Sequence, residues 1–275
     1  MKKLIALMSV LTVLFSVTFS NVVYAQTILT DTAYEFLVNA GTPESYLSTL
    51  SDCQINHMYN VLKDEEYVRF SSTNTEKKFM KDSAPSEGIT INGAIPSSEL
   101  DFSVTGYESL KWDSSVSKYK VKYLTVFVDW DWAGYKPTMR WDDAVSVNWD
   151  SDLFTYERNS FESTDYYTDG STEHVWKEWT QPAVLEQGGL GYFASLERNA
   201  DMNNPVYGNA SFTLLPTSSM YQGTTYTTGI NANYVHNINP LGLSLGFTVK
   251  GVSVSVNQGP LTDSIASALN YKFRR

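Results

Sequence analysis

The chain has 275 residues, with 30 acidic and 20 basic side chains and a formal net charge of −10 at pH 7. This acidic balance argues against nucleic acid as a partner, because nucleic-acid-binding proteins present basic surfaces to phosphate groups. The only cysteine, Cys53, excludes an intramolecular disulfide. A chain of this length buries enough apolar surface to fold without such a crosslink.

Residues 1–25 are predicted to form a secretory signal peptide. Two lysines precede an apolar run over residues 4–19, and Ala25 supplies a small residue at the predicted cleavage position before Gln26. We therefore expect a secreted protein that acts outside the cell. An exported chain without disulfides favours a bacterial source over a eukaryotic secretory route.

Residues 26–70 are predicted to contain two or three short helices. Gly41 followed by Pro43 indicates the end of one helix and the start of the next. Ser51 and Gln54 have the spacing of a capping box. Four apolar side chains then fall on one helical face, with the spacing i, i+3, i+4 and i+7: Ile55, Met58, Tyr59 and Leu62.

The period of the apolar pattern changes to two after residues 71–98, which are rich in Ser, Thr, Asn, Gly, Lys and Pro and predict a linker or loosely ordered arm. Residues 99–275 predict a mainly β domain, built as an antiparallel β-sandwich or open barrel. In one predicted strand, Phe127, Asp129 and Asp131 form the more polar face. The apolar face of the same strand carries Val126, Val128, Trp130 and Trp132.

Residues 223–256 carry a single charged side chain, Lys250. Their apolar residues change phase between Val249 and Val252, which a two-residue turn at Lys250-Gly251 or a β-bulge would explain. The alternation of apolar and hydroxyl residues suits a sheet packed between layers, a surface that docks on another chain, or a hairpin that inserts into a bilayer. Membrane association through residues 223–256 therefore stays open as an alternative.

All seven tryptophans lie between Trp112 and Trp179. Trp130, Trp132 and Trp149 alternate in phase with valines, which favours positions in the core. Other aromatic residues have weaker phase and lie near predicted loops, so we expect them to be exposed and to bind a glycan or another extracellular ligand. These predicted ligand-binding residues are Trp141, Trp176, Trp179, Tyr135, Tyr166 and Tyr167.

Polar side chains near residue 150 allow a calcium site. Asn148, Asp150 and Asp152 lie close along the chain, and oxygen ligands of this kind suit a hard cation such as Ca²⁺. The segment that begins at Asp129 does not form an EF-hand, because Arg140 occupies the position where a bidentate carboxylate is required. Ordinary surface aspartates are the competing interpretation of this cluster.

No sequence motif identifies a catalytic residue. The spacing G-x-S-x-G occurs around Ser244, but this serine lies inside an alternating strand pattern and no histidine follows it. A glycosidase is still an alternative, because its two carboxyl groups need only approach to about 5 Å in space. The candidates for such a pair are Glu157, Glu162, Glu173 and Glu178.

The patterns together predict a secreted, mostly β protein that binds an extracellular glycan or cell-surface component without catalysing a reaction. A membrane-active protein of the pore-forming type is the second hypothesis. A glycosidase-like enzyme is the third.

Overall fold

The computed structural model describes residues 31–74, 93–94, 100–132, 141–170, 172–196, 206–221, 227–238, 245–257 and 262–272. The predicted signal peptide and most of the predicted arm lie outside the described residues. The chain divides into two compact units, Met1–Asp64 and Glu65–Arg275. The prediction of a mainly antiparallel β fold that follows short N-terminal helices is confirmed.

The described part of the first unit contains three helices: α1 (residues 31–39), α2 (Glu44–Leu47) and α3 (Asp52–Leu62). The predicted end of α1 is confirmed at Gly41, whose φ of 94° is a conformation that glycine adopts without strain. The predicted capping box is also confirmed. Ser51 Oγ accepts the backbone N–H of Gln54, and Gln54 Oε1 accepts the backbone N–H of Ser51.

The second unit is built from strands that pair with one another. In chain order, the strands among the described residues are β1 (Val68–Asn74), β2 (Gly93–Ala94), β3 (Asp101–Asp113), β4 (Lys118–Asp131), β5 (Asp142–Asn148), β6 (Phe154–Tyr156), β7 (Glu162–Asp169), β8 (Thr172–Trp179), β9 (Val184–Glu186), β10 (Gly189–Ser195), β11 (Val206–Pro216), β12 (Thr227–Asn237), β13 (Phe247–Lys250), β14 (Ser253–Val256) and β15 (Thr262–Lys272).

Strand β1 extends across the limit that was predicted between the helical region and the arm. It pairs antiparallel with β3 from Val68 to Asn74. Arg69 lies directly opposite Glu108 in this pair and donates a hydrogen bond to it from Nε at 2.8 Å. Residues on both sides of position 70 therefore belong to a sheet.

Two sheets pack face to face around a shared core. The seven-stranded sheet has the order β1-β3-β4-β11-β7-β8, and β6 also pairs with β11. The six-stranded sheet has the order β2-β15-β12-β5-β10-β9. Neighbouring strands are antiparallel except for the parallel pair β2–β15. The ring of Phe102 in one sheet meets the ring of Tyr234 in the other at 5.7 Å, so the observed architecture is a β-sandwich.

Strand β4 is buried on both faces over its central residues. Val128 and Trp130 point into the core, and Phe127 and Asp129 on the opposite face are buried as well. On that second face the ring of Phe127 contacts the ring of Tyr107 edge-on at 5.7 Å. The more polar face predicted for this strand is therefore an interior surface.

The hairpin β13–β14 has a different turn from the predicted one. Val249 pairs with Val254 and Lys250 pairs with Ser253, so Gly251 and the residue after it form the turn. Gly251 has a φ of 63°, which a two-residue hairpin of type II′ requires at its first turn position. The predicted turn at Lys250-Gly251 and the predicted neighbours Val249 and Val252 are therefore wrong.

The same hairpin packs on the outer face of the six-stranded sheet. Gly191 leaves room for it, since a Cβ atom there would lie 2.4 Å from Cε1 of Phe247. The side-chain amide of Asn148 donates to the carbonyl of Val254 and accepts from its N–H, each at 2.8 Å. Val254 and Val256 are buried, while the serines between and before them are exposed. Within residues 223–256, the hairpin β13–β14 therefore forms a layer that packs on the six-stranded sheet.

Candidate functional site

Three tryptophans predicted to lie in the core are found there. Trp130, Trp132 and Trp149 are all buried in the cluster that fills the sandwich. Trp130 lies over Gly208 of the neighbouring strand, where an added Cβ atom would come within 2.6 Å of the indole. The prediction from alternation is therefore confirmed for these three residues, of which Trp132 and Trp149 directly follow the ends of β4 and β5.

The predicted ligand-binding residues of β7 and β8 point to different faces of the seven-stranded sheet. Tyr167 and Trp179 pack against the core. The ring of Tyr167 stacks on the ring of His174 at 4.9 Å. The ammonium of Lys177 lies 4.0 Å from the ring centroid of Trp179. Each of these two rings is therefore already in contact with a side chain of the same hairpin.

Tyr166 faces the opposite side of β7 and is only 8% exposed. Its ring stacks on that of Tyr207, with centroids 5.2 Å apart and planes inclined by 14°. The prediction that Tyr166 is exposed is wrong, because the outer face of this sheet is buried near β11. Alternation could not show this, since both faces of β7 carry aromatic residues.

Trp141 and Trp176 are half-buried. Trp176 lies in a β-bulge, because Asp165 pairs with Lys177 and the next residue of β7 pairs with Val175. Trp141 immediately precedes β5. Tyr135 lies outside the described residues. The predicted aromatic residues that the structure describes therefore do not share one surface. Tyr166 and Tyr167 lie on opposite faces of β7, Trp176 and Trp179 lie on β8, and Trp141 precedes β5.

The predicted calcium ligands make other contacts. Asn148 uses both ends of its amide to hold Val254, and Oδ1 of Asp150 accepts the backbone N–H of Asp152 at 2.9 Å in a turn. Within the described ranges, no group of three or more His, Cys, Asp and Glu residues could hold a metal ion.

The glutamates considered for a glycosidase lie near one another only in part. Glu162 and Glu178 are exposed, and Glu178 pairs with Thr164, two residues along β7 from Glu162. Glu173 accepts a hydrogen bond from the hydroxyl of Tyr207. Glu157 follows β6 rather than β7 or β8.

A buried carboxylate, which no sequence motif indicated, joins β5 to β12 inside the sandwich. Asp143 accepts hydrogen bonds from the hydroxyl of Tyr234 at 2.5 Å and from the backbone N–H of Asn237 at 2.9 Å. Nδ1 of His236 lies 3.0 Å from both carboxylate oxygens. Because a carboxylate only accepts, Nδ1 carries the proton.

The hydroxyl of Tyr234 continues this network toward β4. Nε1 of Trp132 donates to it at 3.1 Å. Burial, followed by the charge of Asp143, raises the pKa of Tyr234 well above its usual value. The hydroxyl therefore stays protonated and can donate to Asp143 at any physiological pH. These bonds hold strand ends together inside the sandwich.

A second buried acid connects the two sheets. Oδ2 of Asp165 accepts the backbone N–H of Ser195 at 2.8 Å, and Ser195 Oγ donates to Asp142 at 2.6 Å. Burial raises the pKa of Asp165 to about 8, even though the bonds from Ser195 and Trp179 lower it. Asp165 is therefore mostly protonated at neutral pH.

Three aromatic residues form an exposed group at one end of the seven-stranded sheet. We call Tyr67, Trp112 and Tyr119 the hairpin-end cluster. Tyr67 and Tyr119 stack with centroids 5.2 Å apart and planes inclined by 22°, and Trp112 meets Tyr119 edge-on at 5.1 Å. Trp112 is 51% exposed and Tyr67 is 48% exposed.

The hairpin-end cluster is exposed because the β3–β4 hairpin extends beyond its neighbours. β1 pairs with β3 only as far as Ser109, and β11 pairs with β4 only from Leu124 onward. Beyond β11, Met220 and Tyr221 still meet β4 at Val121 and Lys120, so among the described residues the pair Trp112–Tyr119 is the first without a paired neighbouring strand. Trp112 lies on the same face as Leu110, which is buried, so its phase alone resembles that of a core residue. The sequence signal for exposure is the polar run Asp113–Lys118, which marks a turn directly after it.

Comparisons with known proteins do not assign a family. No family model matches the chain, and no curated protein matches it. Among solved structures, the N-terminal domain of an adhesin of Streptococcus gordonii matches 66% of this chain and 72% of its own chain, with 8% sequence identity and a TM-score of 0.17. A similarity this low carries no argument. In the part of the chain that the structure describes, no helix is long and apolar enough to span a membrane.

Proposed function

We propose that this protein is a non-catalytic binding protein that acts outside the cell and contacts its ligand, a glycan on a cell surface or wall, through the hairpin-end cluster. The observation that carries the proposal is the exposure of two large rings that are held in place by a third. Tyr119 contacts both Tyr67 and Trp112, so the rings are ordered before a ligand binds.

Ordered aromatic rings suit a binding surface for two reasons. Tyrosine and tryptophan offer a large apolar area and lose little side-chain entropy on binding, because each has only two side-chain torsions. Their polar atoms can also bond to the hydroxyl groups of a sugar whose apolar face lies on the ring. The exposure and order of these rings therefore suit a role in binding a sugar polymer better than a role in packing the core.

Binding accounts for the described residues better than the two other hypotheses. The carboxyls of Asp143 and Asp165 lie inside the sandwich, one surrounded by donors and the other mostly protonated. In the segment considered for membrane insertion, Val254 and Val256 pack on the six-stranded sheet. Neither feature favours hydrolysis or insertion.

The test measures binding of the mature protein to a panel of immobilised wall and cell-surface glycans. Trp112→Ala and Tyr67→Ala should each weaken binding by about 1–3 kcal/mol, because aromatic residues at the centre of an interface contribute most of its energy. Their melting temperatures should stay close to that of the wild type, since both side chains are half-exposed.

Val175→Ala is the matched control, because Val175 is an exposed apolar residue on β8 and lies outside the hairpin-end cluster. Its glycan binding should equal that of the wild type. If Trp112→Ala binds every recognised glycan as tightly as the wild type does, the hairpin-end cluster is not the binding surface.

A further inference from the structure

We infer that the ligand of the hairpin-end cluster is a negatively charged polysaccharide. This inference rests on the proposed binding function and specifies the chemical class of the glycan. It is carried by the charge of the same hairpin, which is opposite to that of the whole protein.

The end of the β3–β4 hairpin concentrates positive charge in an acidic protein. Residues 111–122 contain four lysines and one acid, whereas the whole chain carries a net charge of −10. The lysines are Lys111, Lys118, Lys120 and Lys122.

Part of this positive charge is left without an ion pair among the described residues. Lys122 forms an ion pair with Glu65 at 3.2 Å. Asp113 lies opposite Lys118 in the strand pairing, but its carboxylate accepts hydrogen bonds from Ser115 and Tyr221 instead. Those bonds lower the pKa of Asp113, the Ser115 side chain first. Among the described residues, Lys118 makes no ion pair.

Two of the lysines face each other across the hairpin. Lys111 and Lys120 are direct cross-strand partners. Like charges in this arrangement destabilise an antiparallel pair. An opposite charge at either position would stabilise the hairpin, so the observed pair favours a role in binding an anion over a role in folding.

The lysines act on a ligand that lies on the rings, although they project from the other face of the hairpin. Trp112 and Tyr119 are opposite partners on one face, and Lys111 and Lys120 are opposite partners on the other. At this end the ribbon is narrow, because neighbouring strands are only about 5 Å apart. A polymer that lies on the rings can therefore continue round the end of the hairpin and come within the Debye length of the ammonium groups, about 8–10 Å at physiological salt. Rings and lysines thus contribute to one binding surface.

The turn adds hydroxyl groups to this surface. Ser114, Ser115 and Ser117 are exposed between the two strands, next to the exposed Val116. Ser117 has a φ of 51°, a conformation that is uncommon outside glycine, asparagine and aspartate. Hydroxyls, rings and ammonium groups together match the hydroxyls, apolar ring faces and acidic groups of an anionic polysaccharide.

The experiment compares charged polysaccharides with neutral counterparts of the same backbone. The probes are a polyuronate and its methyl ester, a sulfated glucan and the unsulfated glucan, and a phosphodiester-linked sugar polymer and its dephosphorylated repeat unit. We expect at least one charged polymer to bind more than tenfold more tightly than its neutral counterpart at low salt. Its affinity should fall steadily as salt is raised, because the lysines are screened.

The variant that tests the lysines is the double substitution Lys111→Gln and Lys120→Gln. The affinity for the charged polymer should fall roughly 10-fold and become less dependent on salt, since two positive charges are lost from the end of the β3–β4 hairpin. Its melting temperature should not fall, because the repulsive pair is removed. Lys250→Gln is the matched control, an exposed lysine at the turn of β13–β14, and should bind as the wild type does.

The outcomes separate this inference from the proposed function. If charged and neutral polymers bind equally and independently of salt, while Trp112→Ala weakens the binding of both, the protein binds glycans but the inference about charge is wrong. If no charged polymer of the three classes binds, the inference is also wrong. If the lysine double variant loses binding to vesicles of anionic phospholipid and no polysaccharide binds, the surface recognises a membrane and both proposals are wrong.

Discussion

Two aromatic regions of the seven-stranded sheet differ in how they use their rings. At the β7–β8 edge, the rings of Tyr166, Tyr167 and Trp179 contact Tyr207, His174 and Lys177. In the hairpin-end cluster Tyr119 packs against the core and contacts the other two rings, while Tyr67 and Trp112 remain half-exposed. The density of aromatic residues in the sequence therefore does not show which rings are exposed; their exposure depends on the length of a strand relative to its neighbours.

The largest expected difference between the regions is in their response to pH, which Asp165 on β7 controls. Its pKa in the folded protein is about 8, above its ordinary value near 3.8. The folded state therefore holds a proton that the unfolded state releases between these values, and the stabilisation that this proton provides is lost as pH rises from 4 to 8. The loss is on the order of 1 kcal/mol for each pH unit in this window.

Asp165→Asn should remove this part of the pH dependence, because the amide stays neutral and its oxygen can still accept from Ser195. Urea unfolding at pH 5 and pH 8 measures it. Asp152→Asn, in an exposed turn, is the control and should keep the slope of the wild type. Equal slopes for Asp165→Asn and the wild type would mean that Asp165 is ionised in the fold.

A smaller difference should appear when a ring is removed from each region. Trp179→Ala loses contacts with the core and with Lys177, as well as the bond from Nε1 to Asp165 at 3.4 Å. We expect it to lower the free energy of unfolding by about 1–3 kcal/mol. Trp112→Ala should lower it by less than about 0.5 kcal/mol, because the indole is half-exposed. Similar losses measured by denaturant titration would remove the distinction between the two regions.

The smallest expected effect tests whether the hairpin end is arranged for stability. Lys111→Glu places opposite charges across from each other at the Lys120 pair and should raise the free energy of unfolding by about 0.2–1 kcal/mol. The same variant should bind an anionic polysaccharide less tightly than the wild type. If Lys111→Glu is less stable than the wild type, the lysine pair supports the fold. Lys111→Gln is the control: comparing the melting temperatures of the two variants separates the effect of the added charge from the effect of a shorter side chain.

Alternation predicted the fold class and the core tryptophans, because side chains alternate between the two faces of a sheet wherever neighbouring strands still cover it, as β11 does beside Trp132 just after the end of β4. Trp130 and Trp132 follow this rule. Trp112 follows the same alternation after Leu110, yet it is exposed, because a sequence does not show where the adjacent strands end. Exposure at strand ends depends on pairing, which is a property of the sheet.

Contacts between distant strands were also beyond the reach of sequence patterns. Asp143 and His236 are 93 residues apart, and no local motif relates them. The turn of β13–β14 was misplaced by one residue, because both Lys250-Gly251 and the observed turn include Gly251 and only the strand register, in which Lys250 pairs with Ser253, distinguishes them. The prediction that Tyr166 is exposed was wrong for a related reason. The sequence of β7 alone does not show that residues of β11 cover its outer face.

The pairing of β12 with β15 has a consequence for where the length of the chain could vary. Asn237 pairs with Thr262, and the register then continues without a shift to the pair Thr227 and Lys272. The residues between positions 237 and 262, which include β13–β14, are thus an excursion from a long hairpin whose two arms already meet. A change in the length of this excursion leaves the strand order of the six-stranded sheet unaltered, so we expect an insertion outside β13–β14, which Asn148 holds to β5, to be tolerated while the sandwich is retained.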